Sequence, residues 1–279
     1  MEPALLAAFG VVVGFIGTLV GVGGGFFMVP YFTLVGGFPP ARAVGTSLGA
    51  IVFNAVSGSV RWTIQRRVDW VVAGSFALAT LPGAWLGREA GRGLNTRSFA
   101  LAFAGVVALA AAALLFVRPA PGDATRLAWF RKGLRRDFVD AFGERHRYSV
   151  NLYFGVAVSL GVGFVSALFG VGGGFLHVPV MVVMYGMPVH LAVATSQVIL
   201  AVTAGAGAVA YALPPDPAID VRTMLAVGLG AAAGAQVGAF VAPKVSGEKL
   251  KVVLAAVLFA VAGVMTAEGA GWVHLRGGR

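Results

Sequence analysis

Residues 21–30 read GVGGGFFMVP, and residues 170–179 read GVGGGFLHVP. The second copy follows the first at an offset of 149 residues, and the register holds without a gap to Thr46-Ser47 and Thr195-Ser196. Farther along, Asp69 falls on Asp220, Gly83 on Gly234 and Gly87 on Gly238, now at an offset of 151. The chain is therefore a duplication. The connectors at 62–69 and 211–220 account for the change of register.

The composition says where such a duplication resides. The 279 residues are 58% hydrophobic and only 11% charged, with a mean hydropathy of +0.86. A soluble domain carries about 25% charged residues, so a soluble enzyme, a disordered chain and a nucleic-acid binder are all poor fits. Glycine is abundant at 41 residues, as in membrane helices that pack closely. With no cysteine, disulfides, thiolate metal sites and thiol nucleophiles are excluded, and no cofactor is implied.

Apolar stretches lie at 4–20, 26–36, 43–60, 70–87, 98–117, 150–169, 174–186, 191–213, 221–242 and 250–267. A spanning helix needs roughly 20 apolar residues. Eight stretches are long enough, whereas 26–36 and 174–186 are short and directly follow the glycine clusters. Met1-Glu2-Pro3 offers no basic leader, so the first span is expected to be retained. The predicted fold is an all-α polytopic membrane protein with two pseudo-symmetric halves, each with four long spans and one short glycine-broken segment. Residues 1–117 form the first membrane repeat, 118–149 a basic connector and 150–279 the second repeat.

The connector holds eight basic and four acidic residues, which places it on the cytoplasmic side of a bacterial inner membrane. Within it Leu127, Phe130, Leu134, Phe138 and Ala141 recur at helical spacing. That fits a helix lying on the membrane surface against lipid, or equally a solvated basic linker. The positive-inside rule does not choose between inverted and parallel halves. Under either topology the cytoplasmic side receives twice as many of the 21 Lys and Arg residues. Length favours inversion, because a long span plus a short one is too long for one crossing without a fold-back.

A GVGGG break inside a membrane is tolerated only where it is buried in protein or lines a polar cavity. The short helices that start near Phe26 and Phe175 leave their first amides free, with the positive end of the helix dipole beside them. Gly23, Gly24, Gly25, Gly172, Gly173 and Gly174 would let an anion reach those amides. The same glycines also suit tight helix packing. Thr46, Ser47 and Asn54 in the first half, and Thr195, Ser196 and Gln197 in the second, supply further uncharged donors. Alternatively, they bond to neighbouring backbone.

All eleven acids lie at or near segment ends, so no mid-span carboxylate is available to bind a cation or relay protons. His177 is the ionisable exception, and its counterpart is Met28. It can contact an anion, or be a neutral histidine bonded to backbone. Ser47 and His177 form a conceivable dyad, but no orienting carboxylate lies near either, so no catalytic residue is assigned.

At these motifs the chain resembles the TauE/SafE family of membrane permeases, also called sulfite exporters. The resemblance rests on GVGGG-F-x-x-V-P in each half, the Thr-Ser step that follows, and the basic connector. It implies export of small sulfur-containing anions such as sulfite or organosulfonates. It carries binding roles onto Gly21 to Gly25, Gly170 to Gly174, Thr46, Ser47, Thr195 and Ser196. The missing cysteines separate the chain from transporters that pass thiosulfate along thiols. The function expected is a secondary anion transporter working by alternating access. An anion channel and, more remotely, an intramembrane enzyme are the alternatives.

Overall fold

The structure, a computed structural model, describes residues 2–116, 133–214, 216–245 and 247–271. The first half contains α1 (Pro3–Val20), α2 (Gly25–Pro30, continued by a π turn Tyr31–Val35), α3 (Pro40–Ile64), α4 (Trp70–Arg92) and α5 (Thr96–Phe116). The second contains α6 (Leu152–Phe169), α7 (Gly174–Tyr185), α8 (Val189–Ala212), α9 (Val221–Val241) and α10 (Gly247–Gly269). Six helices among the described residues (α1, α3, α4, α6, α8, and α9 with its 3-10 extension to Lys244) are long and apolar enough to cross a membrane. The protein is an integral membrane protein.

Local chemistry sets the helix ends. Pro3 and Pro40 open α1 and α3, where a missing N–H costs nothing. Asp69 accepts from the amides of Val71 and Val72 at the start of α4, and Asp220 from Thr223 at the start of α9. Gly21 (φ 80°) and Gly170 (φ 69°) end α1 and α6 in the left-handed conformation.

The helices interlock across the two halves. A methyl group at Gly83 would lie 2.0 Å from the Leu160 carbonyl oxygen, and one at Gly234 would lie 2.1 Å from that of Val11. So α4 packs backbone to backbone on α6, and α9 packs likewise on α1. Along these seams Gly83 faces Leu160 and Gly87 faces Phe164, while Gly234 faces Val11 and Gly238 faces Phe15. Each pair therefore runs in the same direction. The central pair runs oppositely, since on α3 and α8 Gly45 meets Tyr211, Leu48 meets Gly207 and Gly58 meets Gln197.

Polarity is inside out relative to a soluble protein. Leu5, Leu78, Leu109 and Leu229 are exposed, whereas Thr46, Ser47, Asn54, His177, Thr195, Ser196 and Gln197 are fully buried.

The described part of the connector corrects the surface-helix reading. Residues Leu134–Val139 (β1) and Arg145–Val150 (β2) form an antiparallel hairpin that pairs Leu134 with Val150 and Val139 with Arg145. The alternation of β2, with His146, Tyr148 and Val150 inward and arginines outward, is a period of two. Gly143 (φ 83°) makes the turn, and Asp140 accepts from the amides of Phe142 and Glu144. Leu127 and Phe130 lie outside the described residues.

Close packing at Gly83 predicts a contrast. Gly83→Ala should lower stability by about 1–3 kcal/mol. Gly105→Ala, at a helical glycine with nothing within 4 Å of a new Cβ, should be neutral or slightly stabilising. Thermal unfolding of the purified protein in detergent reads both.

Candidate functional site

The two glycine breaks meet. A Cβ on Gly25 would lie 2.4 Å from the Gly170 carbonyl oxygen, and one on Gly174 would lie 2.1 Å from that of Gly21. Each break is thus in backbone contact with the other. The first short segment then turns back along α3. Gly25 lies against Ile51, and Val29 shares with Val44 the space beside Gly170.

The Thr-Ser pairs tie each half to the other. The Ser47 hydroxyl donates to the Gly170 carbonyl at 2.8 Å, and the one proton of Ser196 is shared between the carbonyls of Gly21 at 3.0 Å and Val193 at 2.8 Å. Thr46 accepts from the Asp220 amide at 2.9 Å, and Thr195 from the Asp69 amide at 3.1 Å. These serines use their hydroxyl protons on carbonyls that the broken helices leave over. In this conformation they stabilise the breaks and do not face outward to a ligand.

The remaining polar residues differ between the halves. Asn54 donates to the Gly23 carbonyl at 3.2 Å and accepts from Thr18 at 2.8 Å. Its counterpart Thr203 instead bonds Thr80 and the Ile199 carbonyl. His177 lies on α7, its Nδ1 3.0 Å from the Gly173 carbonyl and its Nε2 3.0 Å from the Ser159 hydroxyl. Those partners assign the hydrogen of a neutral ring to Nδ1, leaving Nε2 to accept from Ser159. Ser47 and His177 therefore have separate partners and form no dyad.

Backbone conformation differs as well. Gly23 and Gly24 are left-handed (φ 78° and 82°), as is Gly172 (φ 70°), but Gly173 is at φ −64°. A side chain at Gly24 would also strike Val13 at 2.3 Å. Phe26 is fully buried in the first turn of α2, and Phe175 occupies the first turn of α7. The first amides of these turns lie ahead of any helical acceptor and are the donors that the breaks leave over. Sequence reasoning missed Thr18 and Ser159. Both are polar residues in apolar helices within two or three turns of a break, which is the signal that marks them.

A second layer lies at the hairpin end. Asp69 is buried and accepts from Arg136 Nε at 2.8 Å, Arg136 Nη2 at 3.0 Å and the Tyr148 hydroxyl at 2.5 Å. Asp69 holds the Arg136 guanidinium pKa above its ordinary value. Burial, with the Asp69 charge beside it, pushes the Tyr148 phenol up. Asp140, Glu144 and His146 offer ligand atoms within 4.8 Å of one another. Arg67 already supplies their positive charge, with Nε 3.0 Å from Asp140, so the cluster is an ion-pair network in character. At the opposite end the counterpart Asp220 pairs with half-exposed Arg42 at 2.6 Å.

The profile of the family described as sulfite exporter TauE/SafE matches residues 6–265. The chain belongs to this family. A Bacillus subtilis relative named probable membrane transporter protein YunE is 29% identical over 96% of this chain and 99% of its own length. A Xylella fastidiosa relative named probable membrane transporter protein is 31% identical over 67% of this chain and 65% of its own. A Methanocaldococcus jannaschii relative with the same kind of name, MJ0441, is 25% identical over 74% and 71%. No solved structure matches. TauE/SafE is a family of membrane permeases.

Two predictions concern the hairpin. Tyr148→Phe should cost about 1–2 kcal/mol and speed proteolysis within 134–150, because buried Asp69 loses a donor. Asp140 is depressed on balance. Burial raises its pKa, but the Glu144 amide, His146, the Phe142 amide and Arg67 outweigh it. Its contribution is therefore present above the unfolded carboxylate value, ~3.9, and is lost as pH falls through the lower folded value. Amide exchange at Phe142 and Glu144, corrected for intrinsic rates, should lose protection in that acid window.

Proposed function

We propose that the chain is a secondary transporter that exports a small sulfur-containing oxyanion, sulfite or an organosulfonate, across the plasma membrane. The observation that carries this reading is the meeting of two glycine breaks inside the bundle, flanked by uncharged donors. Anions are held well by oriented backbone amides at helix starts, with no formal charge required. The acids that would bind a cation lie instead at helix ends, in Asp69, Asp220, Glu89 and Asp216.

We read the two halves as inverted repeats. In support, α3 and its counterpart α8 run in opposite directions, and each Thr-Ser pair bonds the equivalent positions of the other half. Arg61 and Lys244 both lie over Phe240, and Arg67 reaches the hairpin, so these basic residues gather at one end. Arg42 and Arg92 pair with Asp220 and Asp216 at the other. The gathered end is the cytoplasmic one by the charge rule. Because the candidate residues are buried on all sides, substrate reaches them only when helices part. Alternating access supplies that motion, with Asp69 closing one end and Asp220 the other.

Proteoliposomes test the reading. Purified protein should support saturable counterflow of labelled sulfite or a sulfonate, and Ser47→Ala and Ser196→Ala should each reduce it about tenfold, since a lost donor of ~1–1.5 kcal/mol acts on a shared break. Absence of counterflow for every anion, or unitary currents in place of saturation, overturns a carrier.

A further inference from the structure

Gln197 differs from the polar side chains assigned above to the two breaks, since both of its amide atoms are left without a partner. It is fully buried, and neither its amide nitrogen nor its amide oxygen has a hydrogen-bond partner among the described residues. Its neighbours Ser196 and Thr195 are bonded, as are Asn54, Thr203 and His177. Leaving both ends of a primary amide unpaired in a dry interior costs free energy that packing does not return. The fold itself does not ask for this amide. At the offset of 149 the counterpart of Gln197 is Leu48, a residue of similar size that is also buried.

The amide stands beside the first break. Its carbonyl carbon lies 3.5 Å from the Cβ position of Gly58, which the Thr18 hydroxyl approaches at 3.3 Å. Thr18 bonds Asn54, and Asn54 bonds the Gly23 carbonyl. Ser196, next to Gln197 in the chain, holds the Gly21 carbonyl.

We propose that Gln197 is the specificity-determining residue of the anion site and selects a hydroxyl-bearing, singly charged oxyanion of the hydrogen sulfite type. The proposal rests on the transporter reading above and narrows it. A primary amide offers N–H donors on one atom and an acceptor on the other. An oxyanion without hydrogen satisfies only the nitrogen and sets its own lone pairs against the amide oxygen. An anion that carries one ionised oxygen and one hydroxyl satisfies both atoms at once. A site built to hydrogen-bond a hydroxyl rejects analogues that lack it, because its own polar group is then left unpaired. Charge works in the same direction. With only neutral donors at the break, a dianion pays several times the desolvation cost of a monoanion.

The test uses the full chain, purified in detergent at a mildly acidic pH at which hydrogen sulfite is the main form of sulfite. Three probes are compared by thermal shift: hydrogen sulfite, methanesulfonate (equal charge, no hydroxyl) and sulfate. The wild type should bind hydrogen sulfite most tightly. Gln197→Leu, which installs the residue of the other half, should melt higher without ligand and lose about tenfold or more in hydrogen sulfite affinity. Its methanesulfonate affinity should change far less, the lost N–H donor being offset by the removal of the opposed amide oxygen, so that the preference collapses. Gln197→Met, a second volume-matched variant, should behave alike. Undiminished preference for hydrogen sulfite in both variants overturns the role of Gln197, the amide then being met by solvent alone. A wild type that none of the three probes stabilises overturns the anion reading itself, and this proposal with it.

Discussion

A peptide carbonyl without a partner is expensive inside a membrane, where no bulk water can accept the debt. Two glycine breaks create several such carbonyls at the centre of this bundle. The rest of the architecture answers to them. Ser47 and Ser196 reach across the halves to Gly170 and Gly21, while Asn54 and His177 satisfy Gly23 and Gly173. The glycines that leave the carbonyls bare also let the breaks touch, since any Cβ at Gly25 or Gly174 would collide with the opposite backbone. Neither half can complete this region alone.

The same bonds connect the centre to the ends. Thr195 and Ser196 are adjacent on α8. One holds the Asp69 amide and the other the Gly21 carbonyl. Asp69 in turn is gripped by Arg136 and Tyr148 of the hairpin. A few bonds thus lead from the hairpin to the first break. The corresponding route from the other end passes through Arg42, Asp220, Thr46 and Ser47 to Gly170. Its outer link is a single exposed arginine in place of a buried, three-bond grip. The two ends are therefore built with unequal strength.

Much of this was legible in the chain. The repeat, the helix positions and the short segments follow from glycine spacing and runs of apolar residues, because a membrane leaves the backbone few choices. The Thr-Ser pairs stood out as hydroxyls at matched places, and the structure bonds all four of them to backbone of the other half. Their actual partners were not legible, because a hydroxyl's bond to a carbonyl more than a hundred residues away depends on tertiary approach. The hairpin was misread because Leu134, Phe138 and Ala141 fit a helical period, while the alternation of His146, Tyr148 and Val150 fits a strand. Tyr148 and Arg136 need Asp69 as an anchor, and that contact settles the competition. Charge counting could not choose a direction for the halves for a simpler reason: both topologies collect the same number of arginines and lysines inside.

Divergence between the copies carries as much meaning as their likeness. Met28 faces the counterpart place of His177, Leu48 that of Gln197, and Thr203 that of Asn54. A transporter whose halves merely exchange conformations needs corresponding bonds at the breaks, and the cross-half partners of Ser47 and Ser196, Gly170 and Gly21, do correspond. A substrate, by contrast, is not symmetric about the axis that relates the halves, so residues that recognise it gain nothing from being duplicated. On the transporter reading proposed above, the equivalent serines and threonines would serve the motion, and unmatched Asn54, His177 and Gln197 the recognition. On that reading recognition would sit beside the first break, where Gln197 and Asn54 lie, with His177 bonded to Ser159 at the second.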